Sequence, residues 1–224
     1  MTVLIILLAG VIGYLCGSVP FGFLYVKLVK GVNLTEIGSG RTGGTNSLRA
    51  AGAPVGVLTA FSDIFKGALA VLLVRWLFGS TLAPTVLPWA EIAAGIFAVV
   101  GHNWSLFLRF RGGAGTGPNV GWGMVIWWPM LPIGFTLMVG LLLTIGMASV
   151  ASMSIAFVIP ITFLVLYLLG ISPYDSTFAY VVGGVITAVI VIWALRPNIK
   201  RLLNGTERVV GPRARRMKKQ KSAK

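Results

Sequence analysis

A chain of 224 residues that is 56% hydrophobic and 11% charged is too apolar for an ordinary water-soluble domain. Its net charge of +14 would suggest nucleic acid as a partner of a soluble protein. Here no aromatic residues interleave with the cations of the C-terminal tail, which argues against a nucleic-acid role. A single cysteine, Cys16, excludes a disulfide framework and suggests no metal cluster. The composition predicts an all-α, polytopic integral membrane protein.

Apolar runs long enough to approach the roughly 20 residues of a membrane span recur along the chain. They cover residues 3–26, 54–78, 86–108, 119–147, 152–169 and 178–195. No basic residue precedes the first run, so we do not expect a cleaved signal peptide. Little sequence remains for a soluble domain. We therefore predict one membrane domain over residues 1–207, followed by a basic cytoplasmic tail over residues 208–224.

The cations indicate how the chain is threaded through the membrane. Lys and Arg concentrate in residues 27–49, 109–111 and 196–224, and short loops rich in these residues stay in the cytoplasm. If the three segments share one side, residues 119–147 cross the membrane twice or not at all. Pro129 and Pro132 near the middle of that run favour two short or broken helices. The residues alone leave five or seven spans open, with the N-terminus outside and the C-terminus inside.

The first polar loop, residues 31–52, is rich in glycine and hydroxyl groups around Arg41 and Arg49. Successive backbone N–H groups in such turns form anion-binding nests, and arginine suits bidentate recognition of phosphate. The simpler alternative is a flexible turn leading into a helix that starts near Leu48. Asp63 and Lys66 then lie in the interior of the next apolar run. Their spacing of three places them on one helical face, where they form either a structural ion pair or part of a site.

A second cationic, glycine-rich loop follows the third apolar run. His102, the only histidine, precedes Arg109, Arg111 and glycines 112, 113, 115 and 117. A lone histidine is more often packed or hydrogen-bonded than a catalytic base.

The third polar segment follows the last apolar run and contains Asn198, Arg201 and Glu207. Pro197 is well placed to start an amphipathic helix at the membrane surface. Cations of this segment could contact lipid headgroups or belong to a site.

Together these segments offer many donors for anions and no Ser-His-Asp pattern. Their chemistry suits a phosphorylated substrate at the cytoplasmic membrane surface, and it fits an enzyme or a transporter.

Three loops and a short intramembrane motif resemble, in order, those of the PlsY-type acyl-phosphate:glycerol-3-phosphate acyltransferases, a family of bacterial membrane enzymes. Residues 38–49, GSGRTGGTNSLR, resemble the family's GSGNxGATNxLR. Residues 63–67 match its Asp-x-x-Lys-Gly motif. Residues 101–115, GHNWSLFLRFRGGAG, resemble GHxxPxFLxFKGGKG, and residues 194–207, ALRPNIKRLLNGTE, resemble RHRxNIxRLxxGxE. The unrelated HxxxxD acyltransferase pattern is absent, because Phe107 stands where its acid would be.

The resemblance implies seven membrane helices in a multi-pass protein of the bacterial cell membrane, with the active site facing the cytoplasm. It implies transfer of a fatty acyl group from acyl phosphate to the 1-hydroxyl of glycerol 3-phosphate, in which a substrate phosphate accepts the hydroxyl proton. The products are lysophosphatidic acid and phosphate. No cofactor or metal is implied. By position, the catalytic residues would be Ser39, Arg49 and Asn198, and substrate would be bound by Arg41, Thr45, Asn46, Lys66, His102, Arg111, Gly112, Gly113, Gly115 and Arg201.

Four of the departures from the family pattern matter most for the predicted site. Arg41 replaces an asparagine, Ser105 a proline, Ala114 a lysine and Leu195 a histidine. Loss of a charge-assisted phosphate contact costs roughly 1.5–3 kcal/mol. We therefore hypothesise that Arg41 restores one positive charge. The alternative function is a transporter or binder of a phosphorylated metabolite on the same scaffold, in which Asp63 and Lys66 would lie on the pathway.

Overall fold

A computed structural model describes residues 1–171 and 178–222, so the last two residues of the predicted tail lie outside it. The described residues form ten α-helices, with short 3-10 turns at Leu34–Glu36 and Leu106–Leu108. The helices are α1 (Thr2–Ser18), α2 (Phe21–Lys30), α3 (Gly44–Ala51), α4 (Ala53–Phe78), α5 (Leu87–Asn103), α6 (Thr116–Ile126), α7 (Met130–Thr144), α8 (Ala148–Leu168), α9 (Ala179–Leu203) and α10 (Gly211–Ser222).

Several of the helices are apolar and long enough to cross a membrane. By length and composition there are four such segments among the described residues: Thr2–Lys30, Ala53–Phe78, Ala148–Leu168 and Ala179–Leu203. The first is α1 and α2 together, interrupted at Pro20. The apolar helix α7 is shorter. This organisation confirms the expected all-helical membrane class.

The apolar run at 119–147 is divided, as its prolines predict. Helix α6 ends at Ile126, and Pro129 immediately precedes α7. Proline is tolerated at the start of a helix because its missing N–H has no intrahelical partner there. Helix α6 has 11 residues and is therefore only about 17 Å long, which is shorter than a bilayer core. Its residues are largely buried, and Trp122 stacks on Phe163 of α8 with 5.5 Å between ring centroids.

Glycines let pairs of helices approach until their backbones touch. A Cβ atom at Gly17 of α1 would lie 2.1 Å from the carbonyl oxygen of Ala98 in α5, and one at Gly121 of α6 would lie 2.0 Å from that of Ile64 in α4. Small residues at such contacts are typical of membrane helices, where dispersion forces between closely packed backbones replace the hydrophobic effect. These contacts fix α4, α5 and α6 around the polar loops.

The prediction that Pro197 starts a separate surface helix is wrong, because α9 continues through it to Leu203. Proline leaves the carbonyl oxygen four residues earlier without its usual backbone donor. Here that oxygen belongs to Trp193, and the Arg196 side chain donates to it at 3.2 Å. As a result, Asn198 and Arg201 lie on a rigid extension of α9. The helix expected near Leu48 also begins earlier, at Gly44.

Close packing at Gly17 predicts that Gly17→Ala destabilises the protein, because the new methyl group would overlap the Ala98 carbonyl. Overpacking of this kind costs about 1–3 kcal/mol. Thermal unfolding of the detergent-solubilised protein, followed by size-exclusion chromatography, measures the effect. Gly140→Ala is the matched control, since a Cβ atom there meets nothing within 4 Å. Equal melting temperatures for the two variants would contradict the packing argument.

Candidate active site

The first glycine-rich loop is held in one shape by the buried amide of Asn46. Its Oδ1 accepts a hydrogen bond from the Ser39 N–H at 3.2 Å, and its Nδ2 donates to the carbonyls of Ile37 and Arg41, each at 2.9 Å. These bonds draw residues 37–41 around the start of α3, so the loop is a fixed structure and not a flexible turn. Asn46 therefore shapes the loop, and its direct contact with substrate stays a prediction.

Arg41 reaches from this loop to both of the other polar segments. Its Nη1 donates to the Gly113 carbonyl at 2.9 Å, while its Nη2 donates to the Ala194 carbonyl and to Asn198 Oδ1. Gly113 and Ala194 directly precede Ala114 and Leu195, the positions that lack the cationic and imidazole side chains of the resembled motifs. The Arg41 guanidinium therefore lies next to both Ala114 and Leu195, where this sequence lacks the polar side chains of the resembled motifs.

Burial lowers the pKa of Arg41 to about 10, and the neighbouring Arg201 is the next largest cause. Because this value is still well above neutral pH, the guanidinium keeps its charge. Burial also lowers the pKa of Arg49 in α3, and the nearby Arg208 adds to that shift. Both shifts show arginines that are desolvated and close to other cations. A bound dianion would relieve this repulsion.

The second glycine loop packs directly on His102. The Gly113 N–H donates to the His102 carbonyl at 2.8 Å, and a Cβ atom at Gly113 would lie 1.9 Å from His102 Nε2. Only glycine fits there. Gly112 also accepts a hydrogen bond from the Thr42 N–H at 3.3 Å, which ties the two loops together. Gly115, with φ of 82°, adopts the left-handed conformation that leads into α6.

The predicted pairing of Asp63 with Lys66 is confirmed. Lys66 Nζ lies 3.0 Å from Asp63 Oδ1 and also donates to the Val19 carbonyl at 2.8 Å, in the break between α1 and α2. His102 Nδ1 lies 3.5 Å from the same Asp63 oxygen. All three side chains are buried. The cluster therefore contacts the second loop through His102, on which Gly113 packs.

Glu207 organises the third segment, and the residue-by-residue sequence assignment did not include it. One of its oxygens accepts from Asn198 Nδ2 at 2.9 Å and from Ser149 Oγ at 3.1 Å, while the other accepts from Arg201 Nε at 3.1 Å. The available signal was its position as the last residue of the third motif. Asn198 is consequently held from both sides, since its Oδ1 accepts from Arg41 and its Nδ2 donates to Glu207.

Two cavities meet at these residues. One, of about 400 Å³, runs between α4, α7 and α8 and is lined largely by apolar side chains, among them Val57, Phe61, Phe135, Met138 and Leu142. The other, of about 250 Å³, is bordered by polar groups that include Asn103, Arg196 and Arg201. Three residues line both cavities: Ser39, Arg41 and Asn198.

The remaining predicted site residues divide between the two cavities or lie outside them. Thr45, Arg49 and His102 line the apolar cavity, and Gly112 and Gly113 line the polar one. Lys66, Arg111 and Gly115 are not among the described lining residues of either cavity. Arg111 is exposed on the second loop, beside Arg109 and Phe110, whose φ angles of 51° and 60° are unusual for residues other than glycine. Lys66 contacts Asp63, which lines the apolar cavity.

Comparison with known proteins gives one consistent result. Residues 7–205 match the family model described as glycerol-3-phosphate acyltransferase. The chain is 34% identical to the glycerol-3-phosphate acyltransferase of Parasynechococcus marenigrum over 95% of this chain and 93% of the relative. It is 38% identical to that of Rubrobacter xylanophilus, covering 91% of this chain and 94% of the relative.

Comparison with solved structures leads to the same family. The crystal structure of PlsY (YgiH), an integral membrane glycerol 3-phosphate acyltransferase, in its glycerol 3-phosphate form superposes with a TM-score of 0.74 at 31% identity. That alignment covers 92% of this chain and 96% of the other. The lysophosphatidic acid form of PlsY gives a TM-score of 0.71 at 29% identity. The chain belongs to the glycerol-3-phosphate acyltransferase family.

Proposed function

We propose that the protein transfers a fatty acyl group from acyl phosphate to the 1-hydroxyl of glycerol 3-phosphate, giving 1-acylglycerol 3-phosphate and phosphate. The observation that carries this proposal is the meeting of a polar and an apolar cavity at Ser39, Arg41 and Asn198. An acyltransferase of this kind must bring a small phosphorylated polyol and a long apolar chain together at one carbon atom. The names and bound forms of the relatives support the same acceptor.

The polar cavity suits the acceptor. Arg41, Arg196 and Arg201 surround it, and the planar guanidinium group is a good bidentate ligand for phosphate. Glu207 pairs with Arg201 through Nε, and among the described residues no acceptor engages the terminal nitrogens of Arg201, which can therefore bind the substrate. Asn198 then stands between the phosphate subsite and the acyl chain. The apolar cavity suits the acyl chain, since burying each methylene contributes about 0.8 kcal/mol.

The reaction needs positioning and charge stabilisation more than acid–base chemistry. The acceptor hydroxyl oxygen forms a bond to the acyl carbon, and the bond from that carbon to the phosphate oxygen breaks. The hydroxyl proton passes to a substrate phosphate, which also serves as an activated leaving group. Ser39 and Asn198 at the junction of the cavities, together with Arg49 in the apolar cavity, would hold the carbonyl and the departing phosphate. Fixed donors aimed at developing charge supply the largest part of many such rate enhancements.

The proposed topology has seven membrane helices, with the N-terminus outside and the active site facing the cytoplasm. The seven are the α1–α2 segment and helices α4 to α9. Division of residues 119–147 into α6 and α7 supports two passages in that run. All three cationic segments then lie on one side, as the distribution of lysine and arginine requires. The bacterial cell membrane is the expected location.

A detergent assay separates this enzyme from the transporter that the sequence left open. Purified protein in detergent should release phosphate from acyl phosphate only when glycerol 3-phosphate is present, because an enzyme needs no sealed compartments. Phosphate release and the acylated product are measured together by colorimetry and mass spectrometry. Flux of a phosphorylated metabolite across sealed vesicles, with no turnover in detergent, would overturn the proposal.

Arg41 supplies a second test. If its guanidinium compensates for Ala114 and Leu195, Arg41→Asn should lower kcat/KM for glycerol 3-phosphate about 10- to 150-fold, the equivalent of a lost charge-assisted hydrogen bond. Ala114→Lys in the Arg41→Asn background should recover part of the loss, and Leu195→His tests the second position in the same way. Arg109→Asn is the control, since it removes a cation from the second loop outside both cavities. Unchanged activity and phosphate binding in Arg41→Asn would exclude compensation.

Glu207 gives a third test, of positioning. Glu207→Ala frees both Asn198 and Arg201, so kcat/KM should fall about 10-fold or more. Glu207→Gln keeps an oxygen acceptor for Asn198 while removing the charge that holds Arg201, so we expect it to raise the KM for glycerol 3-phosphate more than it lowers kcat. Steady-state kinetics with both variants measures the split. Glu36→Ala, which removes an exposed acid bonded to Asn33, should leave both constants near wild type.

A further inference from the structure

The basic tail begins at the edge of the apolar cavity. Val210, Gly211 and Pro212 line that cavity, opposite Leu142 and Leu143 of α7. The Val210 N–H donates to the Gly146 carbonyl at 2.7 Å, and Arg213 Nη1 donates to the Ile145 carbonyl at 2.9 Å. These two bonds fasten the start of α10 to the junction between α7 and α8. A displacement of α10 would therefore also displace the residues of the cavity wall at positions 210–212.

Helix α10 carries more positive charge than the chain can neutralise. Its sequence, GPRARRMKKQKS, holds six lysines and arginines and no acid in twelve residues. Like charges three or four residues apart on a helix repel one another. The entire chain has five acidic residues, and those at 36, 63, 91 and 207 already accept bonds from groups outside α10. The fifth, at position 175, lies outside the described residues. The counter-charge for α10 must come largely from another molecule.

The surroundings of α10 identify that molecule as a lipid. The helix touches the end of α7 and follows α9, whose Val189 and Trp193 side chains are more than half exposed, as expected for groups that face acyl chains. In the proposed topology, a helix that follows α9 and touches the end of α7 lies at the headgroup level of the bilayer. Clusters of lysine and arginine next to a membrane span are attracted to anionic headgroups. Acidic phospholipids therefore satisfy both the charge and the position of α10.

We propose that α10 binds anionic phospholipid headgroups at the mouth of the apolar cavity, and that this contact sets the apparent affinity for the acyl donor. The effect on donor affinity rests on the proposed acyltransferase function, whereas headgroup binding does not. When headgroups hold α10 at the membrane surface, residues 210–212 keep their place in the cavity wall. Without that counter-charge, repulsion along α10 loosens the same residues and the donor binds less tightly.

The test uses the full-length protein in nanodiscs of phosphatidylcholine alone or mixed with phosphatidylglycerol. A spin label on Ser222→Cys, in a Cys16→Ser background, reports the mobility of the tail. We expect the label to be immobilised by phosphatidylglycerol and released at about 0.5 M salt, where surface charges are screened. In the same discs the KM for acyl phosphate should fall by about fivefold with phosphatidylglycerol, while kcat stays constant.

The deciding variant replaces Lys218, Lys219 and Lys221 by glutamine, and it should respond to phosphatidylglycerol neither in mobility nor in KM. Its matched control replaces Lys27, Lys30 and Arg109 by glutamine, which removes the same charge elsewhere and should keep both responses. Equal responses in the two triple variants would overturn the proposal. A change in tail mobility without a change in KM would overturn the claim that headgroup binding by α10 sets the affinity for the acyl donor. Immobilisation by an added oligonucleotide in neutral discs, with no effect of phosphatidylglycerol, would assign the tail to nucleic acid. Mobility needs no turnover, so it is independent of the proposed function.

Discussion

The site depends on one guanidinium that joins three distant parts of the chain. Arg41 bonds to Gly113 and Ala194 across sequence separations of 72 and 153 residues, and it also holds Asn198. Gly113 belongs to the second polar loop, whereas Ala194 and Asn198 both lie on α9. Taking a charged group out of water is costly, so a buried arginine persists only where such bonds compensate for its lost hydration. Those same bonds fix where the polar cavity ends and the apolar one begins.

This arrangement is possible because two pairs of helices beneath it are packed with their backbones in contact. Gly17 and Gly121 bring α1 against α5 and α6 against α4, and Gly113 lies on the ring of His102. The ion pair between Asp63 and Lys66 then fills the polar space that the loops leave inside the bundle. In a bilayer such groups cannot be satisfied by bulk water, so each must find a partner within the protein. Close packing of the helices and pairing of the buried polar groups therefore both follow from the absence of bulk water in the bilayer.

Much of this organisation could be predicted from the sequence, and the reasons are physical. Hydropathy locates membrane helices because about 20 apolar residues are needed to cross the bilayer, and prolines 129 and 132 locate the break. The spacing of Asp63 and Lys66 is enough to predict their contact. In contrast, α9 continues past Pro197 because the Arg196 side chain replaces a missing backbone donor, which no local propensity indicates. The roles of Arg41 and Glu207 depend on contacts between segments that are far apart in sequence.

The continuity of α9 has a mechanical consequence. Asn198 and Arg201 are fixed to the end of a helix that begins at Ala179, so the site cannot move independently of the membrane-embedded part of α9. Helices respond to a change in bilayer thickness by tilting, and the displacement is greatest at their ends. A thinner or thicker bilayer would therefore shift Asn198 relative to the loops on α3 and α6. The length of the acyl chains in the membrane sets its thickness. That length would therefore influence the geometry of the site that transfers acyl chains.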